Sequence, residues 1–202
     1  MIYVLTVFLN LPVLFNTSES RSDPAFLLPG KSSLVKQFVE NQFVDSYYPT
    51  IERAYVKNVF YKGQEFVLEV FDTAGQDEYT PLNAQYAIGI HGYVLVYSIV
   101  SRTSFEMIQI IYDKIVDFSG VVDIPCVIVG SKSDLGSSRQ VSASELQQLA
   151  QGNKAAWAEC SAKNNVNVAR AFELCLQEIE KRVAGHKNGT PASPQENRCT
   201  VM

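Results

Sequence analysis

Apolar and polar positions along this chain repeat with two periods. Leu34, Val35, Phe38 and Val39 fall three and four apart within Lys31–Glu40, which predicts a helix with one buried stripe. Arg53–Tyr61 and Glu65–Phe71 are rich in β-branched and aromatic residues. Lys62-Gly63-Gln64 between them predicts a hairpin turn. Tyr93–Val100 (YVLVYSIV) and Ile124–Gly130 (IPCVIVG) are almost wholly apolar, as strands buried on both faces of a parallel sheet must be. Between them Ser104–Phe118 places Phe105, Ile108, Ile111, Ile115 and Phe118 on one helical stripe. Ser142 and Glu145 form a capping box at the start of a helix whose buried face is Leu146, Leu149 and Ala150. Ala155–Glu159 is a further strand. Asn165–Ala184 is a helix with Val168, Phe172, Cys175 and Ile179 inward, closed by Gly185. The alternation from about residue 50 onward predicts a mostly parallel α/β sheet with one antiparallel hairpin and helices on both faces. In such sheets ligands bind at the carboxyl ends of the strands.

The two ends of the chain differ from this body. Ile2–Phe15 is apolar but interrupted by Asn10 and Pro12. It is shorter than the roughly 20 residues of a membrane span, and no basic residue precedes it as in a signal peptide. It reads as a buried strand or as a stretch foreign to the fold. Asn16–Pro24 is a polar linker, and the chain after Gly185 is polar with Gly, Pro and Ser, as a flexible tail is. The expected division is therefore an unassigned segment with a linker (1–24), one domain (25–184) and a tail (185–202).

Composition narrows the function. Hydrophobic residues make up 47% of the 202 and charged residues 19%, which excludes a disordered chain. Lys and Arg number 17 against 21 Asp and Glu, so the net charge is −4. That argues against a nucleic-acid partner held on a broad basic face, but not against one nucleotide in a local pocket. Cys126, Cys160, Cys175 and Cys199 show no metal or disulfide spacing. The first three lie in apolar stretches, as small core residues. His91 and His186 are far apart in sequence and read as structural or exposed.

The chemistry sits in five short motifs. Gly30-Lys31-Ser32-Ser33 opens a helix, where free N–H groups and the dipole favour an anion. Lys31 can reach the β- and γ-phosphates of a nucleotide, and the Ser32 hydroxyl can ligate Mg²⁺. The complete phosphate-binding pattern has a further Gly five residues earlier. Here that residue is Ala25, followed by the bulky Phe26-Leu27-Leu28-Pro29, and Pro29 has no N–H to donate. Asp72-Thr73-Ala74-Gly75-Gln76 follows a strand. An Asp so delivered can hold Mg²⁺, Gly75 can bring its N–H to the γ-phosphate, and Gln76 can orient the attacking water. Ser131-Lys132-Ser133-Asp134 follows the next strand but one. The Asp134 carboxylate can accept both N–H groups of guanine, and the Lys132 stem can cover a face of the base. In Ser161-Ala162-Lys163 the Ala162 N–H can meet the guanine O6. Thr50, in Tyr47-Tyr48-Pro49-Thr50, can complete the Mg²⁺ shell while a γ-phosphate is present and let go when it leaves. At the chain end Cys199-Thr200-Val201-Met202 is a prenylation box, and the terminal Met favours farnesyl.

Motifs of these kinds in this order resemble the small GTPases of the Ras superfamily, from Gly30 to about Lys181 and again over the last four residues. QFVENQFVDSYYPTIE (Gln37–Glu52), DTAGQDEY (Asp72–Tyr79) and HGYVLVYSIVSRTSFE (His91–Glu106) are most similar to the Rheb family. The resemblance implies a three-layer P-loop G domain that is a GTP/GDP switch and hydrolyses GTP slowly, with Mg²⁺ as cofactor. By position it puts Phe43 against the guanine and Tyr47 over the nucleotide. Asp45–Tyr55 becomes the effector surface and Gln76–Tyr86 the second switch. The catalytic set it implies is Gln76, Thr50, Lys31 and Gly75, with Gln76 ranked below Thr50. Implied partners are the TOR kinase complex as effector, a tuberin-type activating protein and farnesyltransferase. A monomer anchored reversibly by farnesyl to cytosol-facing membranes, endomembrane or plasma membrane, is the implied setting.

Two departures stand against the family pattern. Ser131 replaces an Asn that ties the base loop to the phosphate loop, so guanine affinity is expected to fall while Asp134 keeps selectivity. Residues 1–28 do not match. An abrupt boundary inside a motif is the mark of a substituted exon or an error in the predicted gene. In a genuine variant, Phe26–Leu28 or Ile2–Leu9 takes the place of the central strand. Beside the switch stand two other readings. One is a nucleotide-free, membrane-tethered module of the same fold. The other is a secreted or membrane-inserted protein led by the apolar run, which conflicts with a prenylation box.

Overall fold

The computed structural model describes residues 3–10, 30–44, 53–72, 90–121 and 123–187, with backbone alone for 3–10, Arg53 and 184–187. Its six strands are β1 (Tyr3–Asn10), β2 (Arg53–Tyr61), β3 (Gln64–Asp72), β4 (Gly92–Ser98), β5 (Cys126–Ser131) and β6 (Ala156–Glu159). They form one sheet in the order β2-β3-β1-β4-β5-β6. Only the β2–β3 hairpin is antiparallel. Every residue of β4 and β5 is buried, as their unbroken apolar sequences require.

The central place goes to the N-terminal apolar run. β1 pairs in parallel with β3 from Tyr3↔Phe66 to Leu9↔Asp72, and with β4 from Val7↔Gly92 to Asn10↔Leu95. Of the two stretches weighed for this position, Tyr3–Asn10 takes it, and Phe26–Leu28 lie outside the described residues. The apolar run, unassigned from sequence within residues 1–24, thus supplies the middle strand. The linker Asn16–Pro24 and the tail after Lys187 also lie outside the described residues.

Among the described residues four helices cover the sheet: α1 (Lys31–Glu40), α2 (Arg102–Ser119), α3 (Ala143–Gly152) and α4 (Val168–Lys187), with a 3₁₀ segment at Ser133–Ser138. Side-chain alternation along β4 assigns their faces. A Cβ on Gly92 would meet Ile179 and Cys175 of α4. Tyr97, of the opposite parity, packs its ring edge-on against Phe105 of α2 at 5.0 Å. α1 joins α4 through the stacked rings of Phe38 and Phe172, 3.8 Å apart. α2 joins α3 through the Arg102–Glu145 ion pair at 2.5 Å.

Most elements fall within two or three residues of their expected bounds. In α2 the stripe residues Ile108, Ile111 and Ile115 are buried, whereas Phe118 is 45% exposed. It lies in the last turn, where the chain leaves the helix at Gly120 and the stripe outruns its packing surface. Gly185 does not close α4, which continues to Lys187. A glycine near a helix end costs about 1 kcal/mol and does not by itself break the ladder. Cys126, Cys160 and Cys175 are buried thiols, and His91 is exposed. No helix among the described residues is long and apolar enough to cross a membrane.

Candidate nucleotide site

The carboxyl ends of the parallel strands share one edge of the sheet, and two groups of chemical residues gather there. The first is built where β3 ends beside the start of α1. Gly30 caps α1 with φ 88°, a left-handed conformation that suits glycine, and accepts a hydrogen bond at its carbonyl from the Leu34 N–H at 2.8 Å. It supplies no side-chain cap, and the first turn holds no acidic residue. The start of α1 thus presents the N–H end of a helix, a setting that favours an anion.

Lys31 is 5% exposed, and burial pushes its ammonium down to about 8, with the charge of Asp72 opposing the shift. Asp72 is 3% exposed, and one carboxylate oxygen, Oδ1, has no hydrogen-bond partner among the described residues. Burial raises its carboxyl above the usual carboxylate range. A hydrogen bond from Ser32 and the charges of Lys31 and Lys36 pull the other way. A buried carboxylate oxygen without a donor, next to a serine hydroxyl at a helix start, is oxygen chemistry that suits a hard divalent cation. Ser32 and Asp72 therefore fit Mg²⁺, and Lys31 fits the phosphates beside it.

The second group joins the ends of β5 and β6. Lys132 turns the chain with φ 62°. Burial lowers its pKa while Asp134 opposes, consistent with a stem laid along the fold. Asp134 Oδ1 accepts a hydrogen bond from Ser161 Oγ at 2.5 Å. Ser161 Oγ in turn accepts from the Asn164 N–H at 3.1 Å, and the Ser133 N–H donates to the Cys160 carbonyl at 3.1 Å. These bonds hold the Asp134 carboxylate and the Ser161-Ala162-Lys163 loop in one arrangement. Ser161 is buried, Ala162 half-buried, and Asp134 and Lys163 exposed.

Ser131 lies between the two groups. Its hydroxyl donates to the Tyr97 carbonyl at 2.7 Å, and a Cβ on Gly30 would stand 3.4 Å from Ser131 Oγ. The start of α1 and the base loop thus abut through a serine. Phe43 follows the α1 cap at Asn41 and is 36% exposed. Tyr47, Thr50, Gly75, Gln76 and Cys199 lie outside the described residues, as does Ala25. The carbonyls of Tyr97 and Cys160, which anchor the base loop, escape sequence reasoning because any residue carries a carbonyl. The hydroxyl of Ser161 was legible as part of a motif, but its bond to Asp134 was not.

A family model described as the Ras family matches residues 28–181. The GTP-binding protein rhb1 of Schizosaccharomyces pombe is 60% identical over 173 residues, which are 86% of this chain and 90% of that protein. The small monomeric GTPase RhbA of Aspergillus fumigatus is 52% identical over 175 residues, 86% and 90% of the two chains. The human GTP-binding protein Rheb is 46% identical over 173 residues, 86% and 91% of the two. With the sheet order, the Lys31–Ser32–Asp72 corner and the Asp134–Ser161 corner already in place, the chain belongs to the Ras family as a Rheb-like small GTPase, a GTP hydrolase that binds GTP or GDP with Mg²⁺.

Proposed function

We propose that this GTPase works as a nucleotide-dependent switch on the TOR kinase pathway. Asp45–Tyr55 and Gln76–Tyr86 carry its signal, with the TOR kinase complex as effector and a tuberin-type protein as the accelerator of hydrolysis. Cys199 takes a farnesyl group from farnesyltransferase and holds the chain to cytosol-facing membranes. One such chain anchors weakly, and the tail offers only Lys187 and Arg198 as further basic residues. Attachment is therefore reversible.

The observation that supports the reading is the pairing of a cation-and-phosphate corner with a guanine corner, held together at Ser131 against Gly30. Lys31 would place positive charge on the phosphates, and Ser32 and Asp72 would hold Mg²⁺, which when bound would supply charge neutralisation for phosphoryl transfer. Asp134, fixed by Ser161, takes the guanine N–H groups. The loop before Gly30 departs from this pattern at Ala25 and Pro29. Each lost charge-assisted N–H contact to phosphate costs roughly 1.5–3 kcal/mol. Two such losses weaken binding by about 10²–10⁴-fold.

That departure also favours a second reading, a nucleotide-free docking module with the same fold. The deciding experiment is the nucleotide content of the purified, denatured 202-residue chain, read by ion-exchange chromatography. Near-stoichiometric GDP or GTP supports the switch. A folded chain without nucleotide, with partner binding unchanged in Asp134→Ala, supports the module. The TOR assignment is tested separately, by TOR substrate phosphorylation in cells that carry only this chain; equal phosphorylation with and without it rejects that assignment.

A further inference from the structure

β2 is the edge strand of the sheet, and its two faces differ. Tyr55, Val59 and Tyr61 pack inward on the core, and Lys57 donates to the Phe38 carbonyl of α1. The other face carries Val56, Asn58 and Phe60. Phe60 is 79% exposed and Val56 60% exposed, the two highest values among the large hydrophobic residues described. Cross-strand register completes this face from β3: Phe60 opposes Glu65, Asn58 opposes Val67, and Val56 opposes Glu69. Val67 lies diagonally between Val56 and Phe60, within reach of both. The result is an apolar patch of Val56, Val67 and Phe60 with a glutamate at each end. Asn58 Nδ2 donates to Glu65 Oε1 at 3.1 Å, which holds one of these carboxylates beside Phe60.

An exposed Phe at the outer edge of a sheet is an association liability unless something uses it. The two glutamates decide what fits. A second copy would bring like charges together, and an anionic lipid surface would be repelled by the same carboxylates. A protein segment with a large apolar side chain flanked by Lys or Arg meets both features. Position adds a further property. Phe60 opposes Glu65, seven positions before Asp72 along β3, about 23 Å from the cation corner at 3.3 Å per residue. Loss of a γ-phosphate acts at the other end of the strand.

We propose that the outer face of β2–β3, with Phe60 as its anchor and Glu65 and Glu69 as its charged rim, docks a basic, apolar-anchored protein segment regardless of the bound nucleotide. Its residues fall outside Asp45–Tyr55 and Gln76–Tyr86 in sequence, and a partner there stays engaged through the whole nucleotide cycle. It does not rest on the TOR assignment.

The test is an NMR titration of the full chain, nucleotide-free, with Mg·GDP and with a non-hydrolysable Mg·GTP analogue. The probes are two synthetic peptides with one shared Leu/Trp pattern, one carrying Lys at the remaining positions and the other Glu. The expected result is binding of the Lys peptide with shifts centred on Val56, Asn58, Phe60, Glu65 and Val67. Its affinity should agree within about twofold across the three nucleotide states. Phe60→Ser should weaken it about tenfold without changing the melting temperature. The double variant Glu65→Lys, Glu69→Lys should exchange the preference to the Glu peptide. Shifts that map elsewhere, equal binding of both peptides, or binding in the GTP state alone would overturn the proposal. So would Phe60-dependent binding of phosphatidylserine vesicles in place of the Lys peptide.

Discussion

Asp72 ends β3 with a buried carboxylate oxygen that no donor among the described residues meets, and the nearby Lys31 has its ammonium desolvated. Both are costly for the fold despite their mutual attraction, and ligands of opposite sign would offset the rest. Asp72→Asn should lower nucleotide affinity in Mg²⁺ by at least about tenfold and change affinity in EDTA very little. Equal Mg²⁺ dependence in the variant and the parent would remove Asp72 from the cation's surroundings. Lys31→Met should do the reverse for the fold. A drop from 10.5 to about 8 corresponds to about 3 kcal/mol against the charged form. Relieving part of that should raise the melting temperature of the nucleotide-free chain by about 2–4 °C per kcal/mol recovered, while nucleotide binding is lost. Calorimetry of the two proteins checks this, and a lower melting temperature in the variant would contradict it. These two residues were legible from sequence because the chemistry demands their types at those places. The Ser131 contact with the Tyr97 carbonyl was not, since it depends on the register of β4 against β5.

Elements formed where local and long-range signals agreed. The box that starts α3 was readable from Ser142 and Glu145 alone, and both of its bonds are present. The structure adds Arg102 from α2, whose ion pair is the leading cause that holds the Glu145 carboxyl down to about 2. The folded value lies below the ordinary glutamate value of 4.5, so this pair stabilises the protein above pH 4.5 and the gain is lost as pH falls toward 2. Glu145→Gln should therefore flatten acid unfolding between about pH 4.5 and 2, with a small effect because the pair is exposed. An unchanged acid profile would mean that other carboxylates dominate it. β1 was harder to read. Its apolar run was compatible with a buried strand, but nothing local says that Tyr3–Asn10 lies between β3 and β4. That placement comes from partners more than fifty residues away. Val7 pairs on both sides, with Val70 and Gly92. Val7→Pro removes an N–H and strains a central strand, at about 3 kcal/mol or more. It should unfold the chain at 25 °C or lower its melting temperature by about 6 °C or more. A variant as stable as the parent would show that the sheet does not depend on this strand.

At the scale of the whole molecule, a Ras-family body follows a first segment that the family match does not cover. The sheet accommodates it because a central parallel strand needs little more than apolar residues and free backbone groups, and Tyr3–Asn10 supplies both. The phosphate loop is less tolerant, because its function depends on N–H groups at fixed places. The connection from β1 to α1 spans residues 11–30, and only Gly30-Lys31-Ser32-Ser33 at its end keeps the sequence pattern. Fold and cation corner can therefore survive a change that weakens nucleotide binding, and ligand linkage measures by how much. A ligand at a thousand times its Kd stabilises the folded chain by about 4.1 kcal/mol. For a chain of this size that is a rise of about 8–16 °C in melting temperature. If the altered loop leaves micromolar affinity, millimolar Mg·GDP should produce this rise and Mg·ADP should not, because Asp134 has no matching pair of N–H groups on adenine. EDTA should cancel most of the gain by withdrawing the cation from Ser32 and Asp72. Equal shifts with GDP and ADP would assign binding to the phosphate end alone. No shift with either would mean that the first segment preserves the sheet and has silenced the site, leaving the outer face of β2–β3 as the surface through which the fold still acts.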